Sequence, residues 1–528
     1  MMKTKIISTI AAVFFCFNMY SQWINFNDET DFRIVISNVA DNDDPNAVDD
    51  QEKDLAVGDF DNDSFMDLVV VRKAPFSNPG PKTDLLFMNR NGVLVDQTDI
   101  YAPEFLSNQS DSRDVICIDV NNNGWLDLFV ISTFGDQPQL YINQGNDLGG
   151  NWLGFVDESS TRLPIVTVNI IQFCAGWGGD LTGNGFADLY MINYDGSGLA
   201  LDVLFINDGT GHFTEESQSR MGDLRNSSFG TGVEFHDVDN DGDLDIVKNL
   251  GLNNIPPFNT KGAIVLFNNG DGSFTNFYKL PGDDSYMFTA GDLDDNGMLD
   301  FYIVDDNRDY VDVVTGFDVD QSLTVTQEFL QTNRTDEFGG NVKMIDLDGD
   351  GDLDVGLSSV DTDLPPCETG QNRRFIIFEN EGDHSGDLIH PYGSDMNDWN
   401  LSTYDHDYID INSDGFMDII LGTCDGYKIF MQEPILSIEN PDFGDTIHIY
   451  PNPNNGVMNV TIDAVNSTYV TMELFTINGR LLTTISHDTV LSNVLKVDLD
   501  LRHFIKTGMY FLKLTTNNGT VTKKIIIE

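Results

Sequence analysis

Basic residues are scarce in this sequence: 28 Lys and Arg stand against 86 Asp and Glu in 528 residues, a formal net charge of −58. Neutralising phosphate needs basic surface, so nucleic acid is excluded as a partner. Cysteine is nearly absent. The five are Cys16, Cys117, Cys174, Cys367 and Cys424, and no CxxC or Cys/His spacing suggests zinc. Long apolar runs are missing as well, since no stretch after the N-terminal 22 residues reaches the length of a membrane span. Catalytic signatures are equally thin: there is no HExxH, no phosphate-cradling Gly-Lys loop and no usable GxSxG elbow. In so acidic a chain a pair of carboxylates says nothing of glycosidase chemistry.

What the chain does have is aspartate at regular spacing. The stretch Asp346-Leu-Asp-Gly-Asp-Gly-Asp-Leu-Asp354 puts carboxylates at positions 1, 3, 5 and 9 and glycine at position 6. A hard cation such as Ca²⁺ needs this: side-chain oxygens at alternate positions, a backbone carbonyl at position 7 and a closing acid. The glycine allows the sharp reversal, and Leu347 and Leu353 anchor the loop to a core. The pattern occurs seven times, starting at residues 59, 119, 180, 237, 292, 346 and 410. A fixed period of this kind marks a repeat architecture.

The ligand candidates follow residue by residue. Loop 1 offers Asp59, Asp61, Asp63, the Phe65 carbonyl and Asp67, and loop 2 offers Asp119, Asn121, Asn123, the Trp125 carbonyl and Asp127. Loop 3 offers Asp180, Thr182, Asn184, the Phe186 carbonyl and Asp188, and loop 4 offers Asp237, Asp239, Asp241, the Asp243 carbonyl and Asp245. Loop 5 offers Asp292, Asp294, Asn296, the Met298 carbonyl and Asp300, and loop 6 offers Asp346, Asp348, Asp350, the Asp352 carbonyl and Asp354. Loop 7 offers Asp410, Asn412, Asp414, the Phe416 carbonyl and Asp418. Up to seven Ca²⁺ ions are expected. Affinity rises with ligand charge, which ranks loops 1, 4 and 6 strongest and the Asn- and Thr-containing loops 2 and 3 weakest. Loop 1 departs from the pattern with Ser64 in place of glycine. An EF-hand is excluded, because it closes with Glu at position 12 between helices.

Around each loop the same grammar recurs. A short apolar strand enters (Leu55-Ala-Val-Gly), a β-rich strand leaves (Asp67-Leu-Val-Val-Val71), and a third ends at a turn, as in Leu85-Leu-Phe-Met-Asn89 and Leu204-Phe-Ile-Asn207. A Gly-rich turn then leads to a fourth strand, as in Gly270-Asp-Gly-Ser-Phe-Thr275. Four strands per repeat make one propeller blade. The expected fold is all-β: a seven-bladed β-propeller with a small β-sandwich after it. Phe32-Arg-Ile-Val-Ile36 is the strand expected to complete the last blade and remove the exposed edges. The fifth repeat lacks a clean Asn-Gly turn after its third strand, so its outer half is expected to be irregular.

The domain order reads as a signal peptide over residues 1–22, a propeller over 23–432, a linker over 433–445 and a C-terminal β-sandwich over 446–528. Lys3 and Lys5 precede an apolar run, Ile6 to Tyr20, and Ser21-Gln22 is a plausible cleavage end. Four cysteines remain in the mature chain. Cys117 and Cys174 each precede a loop in neighbouring repeats, and Cys367 and Cys424 each follow one. Those two pairings are one reading, and four free thiols are the other.

The repeats resemble the FG-GAP/VCBS repeats of integrin α-like propellers and of many secreted bacterial proteins, with the Phe-Gly element at Ser228-Phe229-Gly230 and Glu337-Phe338-Gly339. The resemblance covers about residues 30–432. It implies calcium loops on one face, joining the first and second strands of each blade, with ligands meeting the opposite face. The C-terminal stretch Tyr450-Pro-Asn-Pro453, the Asn478-Gly479-Arg turn, Gly508-Met-Tyr-Phe and Lys523-Lys-Ile-Ile resemble the type IX secretion sorting domain of Bacteroidetes. That implies export, passage of the outer membrane, contact with the type IX machinery, and release or attachment at the cell surface.

Two functions stand at this stage. One is a non-catalytic, calcium-binding adhesion module, a monomer, for extracellular polysaccharide or protein. Its variable face would be the loops 72–84, 193–202, 249–261, 305–327, 358–374 and 383–405. The alternative is a polysaccharide-degrading lyase or hydrolase on a propeller scaffold, and fold alone does not decide. His384, His390 and His406 cluster with Tyr392, Trp399 and Tyr404 in the longest inter-loop stretch, which reads either as an active site or as an elongated surface loop. Trp125 and Trp177 flank metal loops and read as packing residues.

Overall fold

Runs of four to seven β-branched and aromatic residues, bounded by Gly, Asn and Asp, become strands throughout. The computed structural model describes residues 24–37, 49, 51–74, 80–282, 285–304, 310–315, 324–329, 341–358, 375–380, 388–389 and 403–433, and in the C-terminal part 447–452, 454–462, 470–476, 481–487, 495–502, 505–506, 508–516 and 519–527. The segment expected to be a signal peptide, most of the expected linker, Cys367, and His384, His390, Tyr392 and Trp399 lie outside the described residues, as do most of the expected loops 305–327, 358–374 and 383–405. The chain divides into two compact units between Gln432 and Glu433.

Among the described residues the first unit has seven sheets, antiparallel but for one added pair on blade 1. Blade 1 runs Glu52–Gly58, Asp67–Lys73, Leu85–Asn89 and Leu94–Asp96, and blades 2 to 6 repeat that order. Their second strands read as continuous apolar runs because they are buried on both faces. Leu68 to Val71 and Leu128 to Ile131 have no exposed surface. Each such side chain withdrawn from water contributes roughly 1.5–3 kcal/mol before entropy is counted. The inner strands of all seven blades line one central cavity.

The last blade is completed from the other end of the unit. Thr403–Ile409, Asp418–Thr423 and Gly426–Glu433 are joined by Asn25–Asp28 as the outermost strand. This corrects the expectation that residues 32–36 supply it. Thr30–Arg33 is a single helical turn, and Ile34–Val35 pairs in parallel with Leu94–Asp96 on blade 1. The short apolar run thus belongs to the first blade and the preceding Asn-Phe-Asn-Asp to the last. The fifth blade is also more regular than expected. Tyr310–Thr315 and Thr324–Phe329 pair over six consecutive residues.

The second unit has a three-stranded sheet of Ile447–Tyr450, Val457–Ile462 and Leu495–Asp500, and a four-stranded sheet of Leu481–His487, Val470–Thr476, Gly508–Thr516 and Gly519–Ile527. Met458, Val460, Met472, Leu474, Leu512 and Ile525 form its core. Alternate residues of each strand face that core, the arrangement of a small sandwich.

Candidate functional site

Each aspartate-rich loop joins the first strand of a blade to the second. Its second residue is the anchor: Phe60, Val120, Leu181, Val238, Leu293, Leu347 and Ile411 are all 2% exposed or less. In all seven loops the position-1 carboxylate accepts from backbone N–H groups ahead of it. Asp59 accepts from Asp63 at 3.0 Å and Ser64 at 2.9 Å, and Asp180 from Asn184 at 2.9 Å and Gly185 at 2.7 Å. The position-5 side chain accepts from the N–H of position 7, as Asp241 does from Asp243 at 3.0 Å. Loops 2 and 3 share this geometry: Asn123 accepts from Trp125 at 2.8 Å and Asn184 from Phe186 at 2.8 Å. Position 6 takes a left-handed conformation, φ 98° at Gly242, and Ser64 adopts it too at φ 74°, a strained choice for a residue with a Cβ.

The donor set fits a hard cation. Four clusters have carboxylate oxygens within 4.8 Å of one another: Asp59, Asp61 and Asp67; Asp237, Asp239 and Asp241; Asp292, Asp294 and Asp300; Asp346, Asp348 and Asp350. In three of them the position-3 residue has a buried oxygen with no hydrogen-bond partner, namely Asp61 Oδ1, Asp239 Oδ1 and Asp294 Oδ1. A buried carboxylate oxygen without a donor is costly, and a divalent ion bound between positions 1, 3 and 5 removes that cost. Loop 5 therefore brings three carboxylates together as loops 1, 4 and 6 do. Loop 1 carries a feature that its own nine residues do not reveal. Arg90 donates to Asp61 Oδ2 at 2.9 Å and lies 3.8 Å from Asp63 Oδ2, so a resident cation already competes there.

The closing aspartate ties each loop to its blade. Asp67 accepts from Phe60 N at 3.1 Å and Asn89 N at 2.7 Å, and Asp354 from Leu347 N at 3.0 Å and Asn380 N at 2.9 Å. Burial pushes Asp67 and Asp354 up to about 8, Asp127, Asp245 and Asp418 to about 7, and Asp188 to about 6, against the backbone N–H bonds that pull each of them down.

The asparagine ending the third strand then reaches back to the loop of the preceding blade. Asn143 Nδ2 donates to Phe60 O at 2.8 Å, Asn207 to Val120 O at 2.8 Å, Asn268 to Leu181 O at 2.8 Å and Asn380 to Leu293 O at 2.7 Å. A second clip uses arginine. Arg33, Arg162 and Arg220 each bond a glutamate four residues earlier and the backbone of a neighbouring blade's turn, at Gly92, Thr210 and Asp271. The triple recurrence of Glu-x-x-x-Arg in the sequence was the available signal for it.

The central cavity has a volume of about 600 Å³. Blades 6, 7, 1 and 2 line it with a connected polar network. Asn341 Nδ2 donates to Asp405 at 2.6 Å and to Asp54 at 3.1 Å, Leu55 N donates to Asp405 at 2.9 Å, and Gly176 N donates to Asp114 at 2.7 Å. Lys343 lies 3.3 Å from Asp407 and 3.7 Å from Asp405. Burial, then the neighbouring Asp405 and Asp114 carboxylates, push Asp54 well above the ordinary range. Trp177 belongs to this cavity and is 39% exposed, so its expected packing role does not hold. Trp125 does pack, against Gly145 and the core shared by blades 1 and 2.

The remaining sequence candidates fall elsewhere. His406 is buried, its ring tilted 53° against Phe375 at 4.8 Å, and burial holds it well below the usual histidine range. Cys117 and Cys174 are free thiols, against the pairing expected for them. Cys117 stands two residues before its loop and Cys174 six before its own, so equivalent strands separate them by four residues, roughly 13 Å along the strand. A disulfide needs Cα atoms within about 7 Å. Cys424 is disulfide-bonded.

Comparison with known families now bears on both units. Residues 180–247, from loop 3 into the strand after loop 4, match the FG-GAP-like repeat. Residues 448–528 match the secretion system C-terminal sorting domain. The tail is a sorting domain. It marks the chain for type IX export to the cell surface or extracellular space. Among the described residues no helix is long and apolar enough to cross a membrane. No curated protein matches the sequence. Among solved structures the chain is similar to the fructofuranosidase from Schwanniomyces occidentalis complexed with fructose, at a TM-score of 0.28 and 11% identity over 90% of this chain and 89% of that one. At that score the likeness bears on neither site nor activity.

Proposed function

We propose that this exported repeat protein is a calcium-stabilised binding and adhesion module for extracellular polysaccharide or protein. Ca²⁺ would be held by the position-1, -3, -5 and -9 side chains and the position-7 carbonyl of the seven loops, most tightly in loops 4, 5 and 6. The ion's role there is to compensate clustered carboxylates and fix each loop, and the blades carry the ligand surface.

The observation that carries the binding reading is the state of the cavity's ionisable groups. Asp405 accepts from Asn341 and Leu55 and faces Lys343; Asp114 accepts from Gly176; Arg113 bonds Glu52 at 2.8 Å. These groups are committed to one another, which suits a preorganised recognition surface better than a base that must shuttle protons. The test is incubation of the calcium-loaded protein with polysaccharides and matrix proteins, following both retention and cleavage. Retention without products is expected. New reducing or unsaturated ends would overturn the reading in favour of an enzyme.

A further inference from the structure

The geometry points to the central cavity, rather than the loops between repeats, as the ligand site, and to a non-acidic saccharide unit as its occupant. This deepens the binding reading above and rests on it.

The cavity wall is divided by residue type. Side chains five and three residues before each loop's first aspartate face inward at every second strand position. On blades 6, 7, 1 and 2 these are Asn341 and Lys343, Asp405 and Asp407, Asp54, and Asp114. On blades 3 and 5, round the ring from blade 7, they include Trp177, Met287 and Thr289. Blade 4 between them carries Glu234 at the same position, so one side offers charged acceptors with amide and ammonium donors, and the other an aromatic face and a thioether beside a single carboxylate.

A sugar ring matches that division. Its hydroxyl edge is donor and acceptor, and charge-assisted bonds to carboxylates are the strong ones. Its C–H face is apolar and stacks on an aromatic ring. About 600 Å³ lies within the range of small-ligand sites, roughly 300–1,000 Å³.

Two further observations point to a ligand. Trp177 keeps 39% of its surface exposed on an inner strand where no other residue is exposed. Glu52, also lining the cavity, is 4% exposed, yet its Oε1 has no hydrogen-bond partner while Oε2 is held by Arg113 and Lys73. A ligand hydroxyl supplies the missing donor. The charge of the wall sets the class. With Asp54 held toward its neutral form, Asp114, Asp405, Asp407, Glu52 and Glu234 still outnumber the four basic residues Lys53, Lys73, Arg113 and Lys343, so uronate or sulfated units gain no net attraction and neutral or amino sugars are favoured.

The test uses the full mature chain saturated with Ca²⁺. Glucose-, mannose- and galactose-based trisaccharides and a galacturonate trisaccharide are titrated calorimetrically. At least one neutral trisaccharide is expected to bind, and to protect tryptophan emission from acrylamide quenching. Trp177→Ala should weaken that binding at least tenfold and Asp114→Asn at least fivefold, while Leu199→Ala on an inter-strand loop leaves it unchanged. The quenching protection in the unmodified protein stands even if a variant folds poorly. Binding that survives Trp177→Ala in a folded variant would overturn the cavity assignment and leave the binding reading intact. Preference for galacturonate, or no trisaccharide binding, would overturn the saccharide class. Release of cleaved sugar would instead overturn the binding reading itself.

Discussion

Asn89 Nδ2 on blade 1 donates to the carbonyl of Ile411 on blade 7 at 2.9 Å, across 322 residues of sequence. The bond is the same one that Asn143, Asn207 and Asn268 make to the blade before them, and here it ties the first blade to the last. Lys53 adds to this seam, donating to Thr423 O at 2.9 Å from a fully buried position.

Replacing Asn89 by Ala strips the donor from the buried Ile411 O and from the half-buried Met66 O. An unsatisfied buried carbonyl costs roughly 1–3 kcal/mol. The urea midpoint of Asn89→Ala should fall, with the slope unchanged. Asn207→Ala, at an internal seam, should fall by a similar amount. Coincident curves for mutant and parent would remove the latch from the account.

Arg90 would compete with a calcium ion in loop 1. Exchanging it for Gln keeps a polar side chain and deletes the charge beside Asp61. The calcium affinity of loop 1 is expected to rise several-fold at low salt, read by calorimetry in a background of Asp239→Asn and Asp348→Asn. An unchanged or weakened affinity would mean that the guanidinium stands outside the ion's field.

The closing carboxylates set a pH dependence. Their folded values, about 6 to 8, lie above the ordinary 3.8. The folded metal-free chain thus holds protons that the unfolded chain has released. Stability from this source is fully present below about pH 4 and is lost as pH rises through 6 to 8. Calcium displaces the same protons, so its binding tightens over that window. Melting of the chelated protein should worsen from pH 5.5 to 8.5 while the gain from added Ca²⁺ grows. A calcium gain that shrinks with rising pH would contradict this.

The two free thiols are directly checkable. Alkylation of the unfolded chain without reductant should label Cys117 and Cys174 and spare Cys424, as read by peptide mass. Protection of Cys117 and Cys174 together would restore the disulfide between them.

Much of this architecture was legible in the sequence because its signal is local. Nine residues specify each loop, the anchors at Phe60 or Leu347 alternate with the ligands, and the strand before and after carries its own β propensity. What was not legible is non-local. Nothing near Asn25–Asp28 distinguishes an outermost strand on blade 7 from a strand on blade 1, because a polar, edge-facing strand has little apolar pattern. Arg90 lies 29 residues from Asp61, so the charge count of loop 1 omits it. Trp177 reads like Trp125 in sequence, and only the position of its strand at the centre turns it toward the cavity. The cysteines illustrate the same limit: adjacency of repeats is readable, but a four-residue offset along two strands decides whether sulfurs meet.

The most direct measurement is thermal unfolding of the mature chain with excess Ca²⁺ and with chelator. Each site held at a hundredfold excess over its Kd adds about 2.7 kcal/mol to the folded state. With several loops filled, calcium should raise Tm by about 10 °C or more, and Asp239→Asn with Asp348→Asn should remove part of that rise. Superimposable melts with and without chelator would contradict the assignment of these loops as calcium sites.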